Sequence, residues 1–374
     1  MNSIPLCVPS IGEDEIQSVV EVLRSGWLAH GQKNHEFESM FADYIGSKYA
    51  ISMNSCTSAL HLALAALEIT GEVIAPSFTF VATVNAILLA GAIPVLVDID
   101  SDTRNMDPDL IEEAITDRTE AIMVVHYGGL PADMPRILEI AEKHNLRIIE
   151  DSAECLGGRF HGQIAGSCDV GCFSFFPTKN ITTGEGGMLT TDDGKLASKV
   201  RALCGHGIDS TTFSREKESR PWIRIASRAG HNFRMSNILA AVGVEQMKKV
   251  SDLNGARQRI AARYVERLGD LDWVRFQVIP DGFTHSWQMF TVLVPRKKRD
   301  KLIGHLRRHN IEASVHFDPP IHMQPPYMDL RRGSQMEETE LVASSIISLP
   351  IFPSMEQEDV DSICCVVRDF IGTD

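Results

Sequence analysis

The sequence lacks the excess of positive charge that nucleic-acid-binding proteins carry. Its 374 residues include 36 lysines and arginines but 50 aspartates and glutamates, which gives a net charge of −14 at pH 7. Such a balance favours solubility and argues against nucleic acid as a partner. A phosphate-bearing ligand would need a local positive site, because the field of the whole chain repels anions.

The eight cysteines lack the paired spacing of a metal site. Cys168 and Cys172 stand four residues apart without a matching histidine cluster, and Cys364 and Cys365 lie in an apolar C-terminal stretch. We therefore expect no metal site, and we interpret the cysteines as reduced, mostly buried thiols of a cytoplasmic protein.

The sequence shows no internal repeat and no low-complexity segment, and we expect no signal peptide. The first residues, MNSIPLCVPSIGEDE, have neither a basic start nor an apolar core. One uncharged run, Phe78 to Val97, is as long as a membrane span, but polar residues interrupt its start and Pro94 divides its end. We expect a buried helix followed by a strand there, and no membrane partner.

What the sequence does contain is an alternation of strand and helix patterns, which predicts an α/β fold with a mostly parallel sheet covered on both faces. Strands are predicted at 73–75, 94–98, 121–126, 147–150, 172–176 and 188–191, and helices at 58–67, 83–89, 110–116 and 135–144. A long helix is predicted over 237–268, with Gly255 as an interruption. The length predicts two domains, which we place at 1–250 and 251–374. The second, a smaller α+β domain, would contain a strand at 288–294 and helices at 299–310 and 356–371.

The most informative motif, CFSFFPTKNITTGEGGM, runs from Cys172 to Met188. Its first five residues are uncharged and aromatic, which predicts a buried strand. Pro177 ends that strand, so Lys179 is expected on a loop at the strand's end, where sites on α/β sheets usually lie. Desolvation beside apolar walls disfavours an ammonium ion and makes the amine a nucleophile toward carbonyls. A solvated surface lysine is the alternative.

Two other motifs add to this lysine. The segment LRIIEDSAE predicts a strand that ends at Glu150 and Asp151, where a carboxylate can pair with the protonated ring nitrogen of pyridoxal phosphate (PLP). A carboxylate that caps a helix or binds magnesium would give the same sequence pattern. In NSCTSALHLAL, from Asn54 to Leu64, small hydroxyl residues open an apolar helix whose amides and dipole attract anions, although a plain N-cap would suffice. The three motifs together predict a PLP site.

The chain resembles the DegT/StrS family of PLP-dependent sugar aminotransferases, within the fold type I aspartate aminotransferase superfamily. The resemblance covers nearly the whole chain and rests on an ordered set of segments: GWLAHGQKNHEFE, SCTSALHLAL, APSFTFVATVNAI, DMPRI, EDSAE, the lysine motif, GHNFRMSNILAAVGVEQM, PPIHMQPPY and SLPIFPSM. It implies a large PLP-binding domain with a sheet of the seven-stranded type, a small C-terminal domain, and a homodimer with shared active sites.

The resemblance also implies roles for the residues that match the family's motifs. Lys179 would form the Schiff base with PLP and transfer protons, and Asp151 would keep the ring nitrogen protonated. Phe80 would stack on the ring, and Glu154 would lie near the ring hydroxyl.

The remaining implied contacts concern the phosphate of the cofactor. Cys56, Thr57 and Ser174 would hold it, and Asn232 would reach the phosphate bound by the neighbouring subunit. The family usually has Gly where Cys56 stands, Tyr where His231 stands, and Gln or His in place of the glutamate near the ring hydroxyl. These departures concern the subtype and not the use of PLP.

The activity implied by the resemblance is transfer of an amino group, by a ping-pong mechanism, from an amino acid (L-glutamate) to a keto-sugar. The usual acceptor is a nucleotide-linked 3- or 4-keto hexose. His322, Tyr327 and His126 are candidate sugar contacts, and packing roles explain them equally well. Arg220 and Arg224, in an expected mobile loop at 215–224, could meet a pyrophosphate but are more simply solvated.

Two other readings of the sequence stay open. One is a different PLP enzyme, a sugar dehydratase or an aldol-type enzyme. Relatives that dehydrate sugars carry His at the position of Lys179, so the lysine favours transamination. The other is a regulator that binds PLP or a nucleotide sugar without catalysis, which the intact Lys179 and Asp151 disfavour.

Overall fold

The computed structural model describes residues 3–209 and 222–370, in which helices and strands alternate. The strands are β1 (Tyr49–Met53), β2 (Glu72–Pro76), β3 (Ile93–Val97), β4 (Thr119–Val125), β5 (Arg147–Asp151), β6 (Arg159–Phe160), β7 (Gln163–Ile164), β8 (Val170–Ser174), β9 (Gly187–Thr191), β10 (Arg275–Phe276), β11 (Phe283–Thr284), β12 (Phe290–Leu293), β13 (Arg331–Arg332) and β14 (Ile346–Leu349). The helices are α1 (Glu13–Ser25), α2 (Gln32–Ile45), α3 (Cys56–Leu67), α4 (Val81–Leu89), α5 (Pro108–Ala114), α6 (Met134–His144), α7 (Gly194–Cys204), α8 (Asn237–Leu268), α9 (Arg296–Arg308), α10 (Glu337–Ser345) and α11 (Gln357–Arg368). Short 3₁₀ turns occur at Tyr127–Gly129, Ile321–Met323 and Pro325–Tyr327.

An eight-stranded sheet in the order β1-β9-β8-β5-β4-β2-β3-β13 forms the centre of the described chain. The strands from β8 through β13 are parallel to their neighbours in the sheet, and β9 and β1 pair antiparallel at one edge. This confirms the predicted α/β fold with a mostly parallel sheet. The short β13 makes this an eight-stranded sheet, one strand more than the seven-stranded type that the resemblance implies.

The two faces of the sheet pack against different helices, because successive side chains of a strand point to opposite faces. In β5, Ile149 belongs to an apolar cluster with Leu62 of α3 and Val200 of α7. Its neighbour Ile148 belongs to a second cluster, with Ile137 of α6 on the other face. Burial on both faces explains why the central strands read as continuous apolar runs.

The C-terminal part of the chain has its own sheet and its own apolar cluster. Strands β10, β12 and β14 form a three-stranded antiparallel sheet. Phe290 of β12, Leu302 of α9 and Ile363 of α11 pack together with the second half of α8. These elements match the α+β unit that the sequence predicts. The domain boundary at residue 250 stays a prediction, since it falls inside the continuous helix α8.

Several predicted boundaries are corrected by the structure. Gly255 does not interrupt α8, which runs unbroken through it. The strand predicted to reach Phe176 ends at Ser174, because the chain then turns and Lys179 N donates to Phe176 O. The uncharged run at 78–97 forms α4 and β3, as predicted. Most of the predicted loop at 215–224 lies outside the described residues.

Candidate active site

A cavity of about 410 Å³ opens where β4, β5 and β8 reach their carboxyl ends, beside the first turn of α3. Its opposite side comes from the C-terminal part of the chain, including His316, Phe317 and Ser348. The edge formed by the carboxyl ends of parallel strands is where α/β proteins usually bind ligands. The described lining therefore joins residues from distant parts of the sequence at one site.

Lys179 lies in this cavity, on the loop that follows β8. Its side chain is 16% exposed, and its Nζ is 3.4 Å from Oε1 of Glu154. The aromatic ring of Phe176, three residues earlier, also lines the cavity. The lysine is thus the partly desolvated amine beside an apolar wall that its sequence context predicts.

Asp151, the last residue of β5, lies in the same cavity and is buried. Its Oδ2 accepts a hydrogen bond from Thr83 Oγ1 at 2.8 Å, and its Oδ1 accepts one from the Ala153 N–H at 3.2 Å. Burial raises the pKa of Asp151 above its ordinary value, and these two hydrogen bonds oppose that rise. The carboxylate is therefore costly to ionise without a cation, and a protonated ring nitrogen would be such a cation.

Glu154 links Lys179 to the backbone behind it. While Oε1 faces the lysine amine, Oε2 accepts the N–H of Gly128 at 3.1 Å. Gly128 adopts a φ of +67°, which orients this N–H at little steric cost. The glutamate that departs from the family pattern is thus an oriented carboxylate in the cavity.

The start of α3 provides an anion-binding geometry. Ser55 is the N-cap and accepts the Ser58 N–H at 3.1 Å, and Cys56 and Thr57, the first two residues of the helix, line the cavity. Gly187, at the start of β9, lies so close that an added Cβ would be 2.3 Å from the carbonyl carbon of Ser55. Only glycine allows this approach, which brings the two segments together.

Ser174 and Phe80 complete the predicted cofactor contacts in the cavity lining. Ser174 is the last residue of β8. Phe80 precedes α4 and is 58% exposed, an unusual fraction for a large aromatic ring. Its ring centroid is 6.1 Å from that of Phe317, so one face of an aromatic pair is available for a planar ligand.

Asn232 is the predicted cofactor contact that the structure does not bring into this cavity. It is exposed, and its Oδ1 accepts hydrogen bonds from Arg234 Nε and Nη2 at 3.1 and 2.9 Å. The neighbouring His231 stacks on Phe233, with ring centroids 4.4 Å apart. This segment therefore lies on the surface of its own chain.

The structure corrects the proposed role of His126, which is fully buried and does not line the cavity. Its Nδ1 accepts the Ala132 N–H at 3.0 Å, so its Nε2 carries the proton and donates to Glu150 Oε2 at 2.9 Å. Both ring nitrogens are occupied inside the protein. His126 is a core histidine and not a sugar contact.

The same correction applies to His322 and Tyr327, since neither lines the cavity. His322 is buried; its Nε2 donates to Glu340 Oε1 at 3.1 Å, and its Nδ1 shares a hydrogen bond with Ser77 Oγ. Tyr327 donates its hydroxyl to Asn85 Oδ1 at 2.7 Å. Their polar atoms hold the PPIHMQPPY segment against α4 and α10.

Of the two candidate pyrophosphate contacts, Arg224 is exposed and does not line the cavity, while Arg220 lies outside the described residues.

All eight cysteines are free thiols. Within residues 3–209 and 222–370, no group of three or more His, Cys, Asp or Glu could hold a metal ion. In the same ranges, no helix has the length and apolar content to cross a membrane.

Two residues of the site were not identified from the sequence. Thr83 Oγ1 donates to Asp151 Oδ2, and its sequence signal was a hydroxyl residue in the first turn of the mainly apolar helix α4. His316 lines the cavity from the C-terminal part of the chain. Nothing near it in the sequence connects it to Lys179, because tertiary folding alone brings them together.

The fold and the cavity define the class of the protein, a PLP-dependent transferase with a large mostly parallel sheet. The chain belongs to the DegT/DnrJ/EryC1/StrS aminotransferase family, whose model matches residues 9–368. It is therefore a sugar aminotransferase that uses PLP.

Individual relatives agree with this assignment over their full lengths. The chain is 39% identical to the spore coat polysaccharide biosynthesis protein SpsC of Bacillus subtilis, with 98% of this chain and 97% of SpsC covered. The solved structure of DesV from S. venezuelae shares 33% identity at a TM-score of 0.90, with 99% of this chain and 98% of DesV covered. DesI, solved in the presence of its TDP-sugar product, shares 30% identity at a TM-score of 0.88, with 98% of this chain and 93% of DesI covered.

The residues present fit PLP. The start of α3 suits the phosphate, the exposed face of Phe80 suits the ring, and the buried Asp151 suits a protonated ring nitrogen. Lys179 supplies the amine, at the carboxyl end of the sheet that holds the other groups. When bound, PLP acts as the electron sink that makes loss of a proton from an amino acid feasible.

Proposed function

We propose that this protein transfers the amino group of L-glutamate to a nucleotide-linked 3- or 4-keto hexose, in two half-reactions that share one site. The observation that carries the proposal is the meeting of Lys179, Asp151 and the first turn of α3 in one cavity. Two comparisons support the substrate class: the name of SpsC refers to polysaccharide biosynthesis, and DesI was solved with a TDP-sugar product.

The chain's own residues have distinct tasks in this reaction. Lys179 Nζ takes the proton from the α-carbon of the amino donor, and in the second half-reaction it delivers a proton to the sugar carbon that gains nitrogen. Glu154, 3.4 Å away, orients the amine for both transfers. Asp151 holds a proton on the cofactor's ring nitrogen. Glutamate leaves as an oxo acid, and the keto-sugar becomes an amino sugar.

The phosphate is assigned to the backbone amides at the start of α3, together with Cys56, Thr57 and Ser174. This assignment answers the problem posed by the net charge of −14, because a helix N-terminus attracts an anion locally. Phe80 covers one face of the ring. The aromatic residues of the cavity exclude water from the lysine amine.

We further propose a cytoplasmic homodimer in which Asn232 completes the partner's phosphate site. Asn232 is exposed and lies outside the cavity of its own chain, as such a role requires. Mixing the inactive variants Lys179→Ala and Asn232→Ala tests this arrangement. A shared site predicts recovered activity in the mixed dimer, because one of its two sites has both residues. Absence of recovery in a demonstrated mixed dimer would contradict it.

The first experiment is a titration of the PLP-loaded protein with L-glutamate, followed by the visible absorbance of the bound cofactor. We expect the absorbance to change with glutamate and to return when the accepted keto-sugar is added. In Lys179→Ala the rate should fall by at least about a thousandfold, because the proton-transferring amine is gone. Lys195→Ala, which removes an exposed lysine at the start of α7, should behave as the unaltered protein.

The outcomes separate the remaining alternatives. Cofactor binding without a response to any amino donor would overturn the transaminase proposal. A dehydratase would then consume a keto-sugar without incorporating nitrogen. A regulator would bind the nucleotide sugar and leave it unchanged.

A further inference from the structure

Two of the eight cysteines, Cys7 and Cys56, line the active-site cavity, and their surroundings differ. Cys56 is buried, and burial together with the nearby Asp151 raises the pKa of its thiol well above the ordinary value. Cys7 is half-buried, so a small molecule in the cavity can reach its sulfur. The cofactor chemistry gives this thiol no task.

Arg257, in α8, is a buried cation beside Cys7. It is 1% exposed, and its Nη1 donates to the main-chain oxygens of Trp287, Gln288 and Ile351 at 3.0–3.4 Å. Its buried Nε has no hydrogen-bond partner among the described residues. Burial lowers the pKa of this guanidinium, and within the described chain the ionisable group that opposes the shift is the Cys7 thiol, through its charge and as a hydrogen-bond acceptor.

This arrangement favours a thiolate at Cys7. A buried cation is costly unless an anion lies beside it, and a thiol that loses its proton supplies that anion. The contacts that would hold the proton on the sulfur are weak, since Pro177 O and Thr178 O are 4.0 and 3.9 Å from Sγ. Because the thiolate is the reactive form of cysteine, Cys7 is a nucleophile on the cavity wall.

The sulfur of Cys7 also lies against the loop that carries Lys179. The two oxygens that it faces belong to Pro177 and Thr178, which immediately precede the lysine. Gln288 Nε2 donates to the same Thr178 oxygen at 3.0 Å, so the loop is held from a second side. An oxygen atom added to the sulfur has to take space from this loop or from the cavity. Either change disturbs the lysine amine or the entry of a ligand.

We propose that Cys7 is a modification site for hydrogen peroxide and other small hydroperoxides, and that its oxidation to a sulfenic acid reversibly stops the reaction at Lys179. The thiolate sulfur attacks one peroxide oxygen, and an S–O bond forms as the O–O bond breaks. Sulfur loses two electrons, and the other oxygen leaves as hydroxide and takes a proton from water. One equivalent of a small thiol then displaces water from the sulfenic acid, and a second reduces the mixed disulfide and restores Cys7.

The test treats the PLP-loaded protein with hydrogen peroxide in the presence of dimedone, which forms a stable adduct with sulfenic acids. Peptide mass spectrometry then locates the adduct. Exposure alone predicts reaction at Cys365, which is the exposed cysteine of the chain. We expect at least about tenfold more adduct at Cys7 than at Cys365, because the guanidinium favours the thiolate, and none at the buried Cys56. This measurement needs no turnover, so it does not depend on the proposed function.

The effect on the reaction is measured without dimedone. Peroxide should lower the rate of the L-glutamate half-reaction in proportion to the fraction of Cys7 that is oxidised, and dithiothreitol should restore it. Oxidised methionines are not restored by this reagent, so recovery identifies a sulfenic acid. Cys7→Ser should keep most of the rate and resist peroxide. Cys365→Ser, the matched control, should stay as sensitive as the unaltered protein.

The role of Arg257 is tested by the rate at which iodoacetamide alkylates Cys7. Arg257→Met removes the charge and should slow this alkylation by roughly tenfold at neutral pH. Arg257→Lys, which keeps a charge, should recover part of the rate. Since both variants lose hydrogen bonds to main-chain oxygens, thermal unfolding is measured beside them, and the adduct map of the unaltered protein decides the proposal if either fails to fold.

Three results would overturn the proposal: adduct at Cys365 with Cys7 unmodified, oxidation of Cys7 that leaves the half-reaction rate unchanged, or equal peroxide sensitivity in Cys7→Ser. Absence of the L-glutamate half-reaction before any peroxide is added counts against the proposed function instead. The adduct map then decides on Cys7.

Discussion

The two faces of β5 at its carboxyl end carry adjacent carboxylates with opposite surroundings. Glu150 is fully buried and accepts three hydrogen bonds, from His126 Nε2 at 2.9 Å, Gly166 N at 2.7 Å and Cys168 N at 2.8 Å. Asp151 points to the other face and accepts hydrogen bonds from Thr83 Oγ1, the Ala153 N–H and, at 3.9 Å, the weakly donating Cys56 thiol, with the cavity beside it. One carboxylate is enclosed by N–H donors of the protein, and the other borders the cavity, where burial raises its pKa.

The surroundings of Glu150 and Asp151 show how a structural role of a buried carboxylate can be distinguished from a functional one. A carboxylate surrounded by fixed donors holds its neighbours in place, and breaking that set costs stability. A buried carboxylate with too few donors costs stability until a ligand supplies the missing charge. The predictions below test this distinction.

The largest expected effect is that of Asp151→Asn on activity. The amide cannot hold a proton on the cofactor's ring nitrogen, so the rate of the L-glutamate half-reaction should fall by about 10²–10³-fold. The measurement is single-turnover absorbance. A loss smaller than about tenfold would show that Asp151 does not serve the ring nitrogen.

The same variant should be more stable than the unaltered protein when neither contains PLP. The pKa of Asp151 is higher in the folded protein than its ordinary value of 3.8, so the folded state binds more protons. Its contribution to stability is present below 3.8 and is lost as the pH rises through the raised pKa. The advantage of Asp151→Asn should therefore be absent at low pH and present at neutral pH. Thermal unfolding at several pH values measures it, and a constant difference would contradict the mechanism.

Glu150→Gln should show the opposite behaviour. The NH₂ group of the glutamine would face N–H groups that now donate to the carboxylate, so two donors would meet without an acceptor. This should lower the free energy of unfolding by about 2–3 kcal/mol. The control Glu142→Gln, at an exposed position on α6, should stay within about 0.5 kcal/mol. Chemical denaturation of the PLP-loaded proteins is the measurement. The prediction fails if activity is lost while stability is unchanged.

The smallest effect is expected for Thr83→Val, which removes one hydrogen bond to Asp151 and keeps the side chain's shape. The pKa of Asp151 should rise further, because this hydrogen bond lowers it. The acid limb of the L-glutamate half-reaction should move to higher pH, with a loss of about two- to fivefold at neutral pH. In an Asp151→Asn background the substitution should add little, and a full additional loss there would show that Thr83 acts elsewhere.

Much of the fold could be predicted because its signals are local. Apolar runs and intervening amphipathic segments predicted the central strands and α8, whose bounds were right to the residue. The helix was predicted to break at Gly255 and does not, since packing of its neighbours outweighs the modest propensity cost of one glycine. The edge strand β13 has only two residues and no sequence pattern of its own.

The residues of the candidate site likewise fall into those that local sequence patterns predicted and those that they did not. Lys179, Asp151 and the start of α3 each stand at the end of a predicted element, so their place on one sheet edge followed from the order of strands. His126 shares that position at the end of β4, yet its ring belongs to the face of Glu150. Successive side chains of a strand point to opposite faces of the sheet. A shift of one position along the strand therefore decides whether a side chain lies in the core or in the cavity.

The sequence by itself determined the class of fold and the family and predicted the groups that would hold the cofactor, because these depend on motifs whose parts are close in the chain. Only the tertiary structure decided which histidines have their ring nitrogens occupied in the core and which one lines the cavity. His126 and His322 have partners on neighbouring elements, whereas His316 lines the same cavity as Lys179, which is 137 residues away in the sequence. Such contacts depend on how separate elements pack, and no local pattern records that.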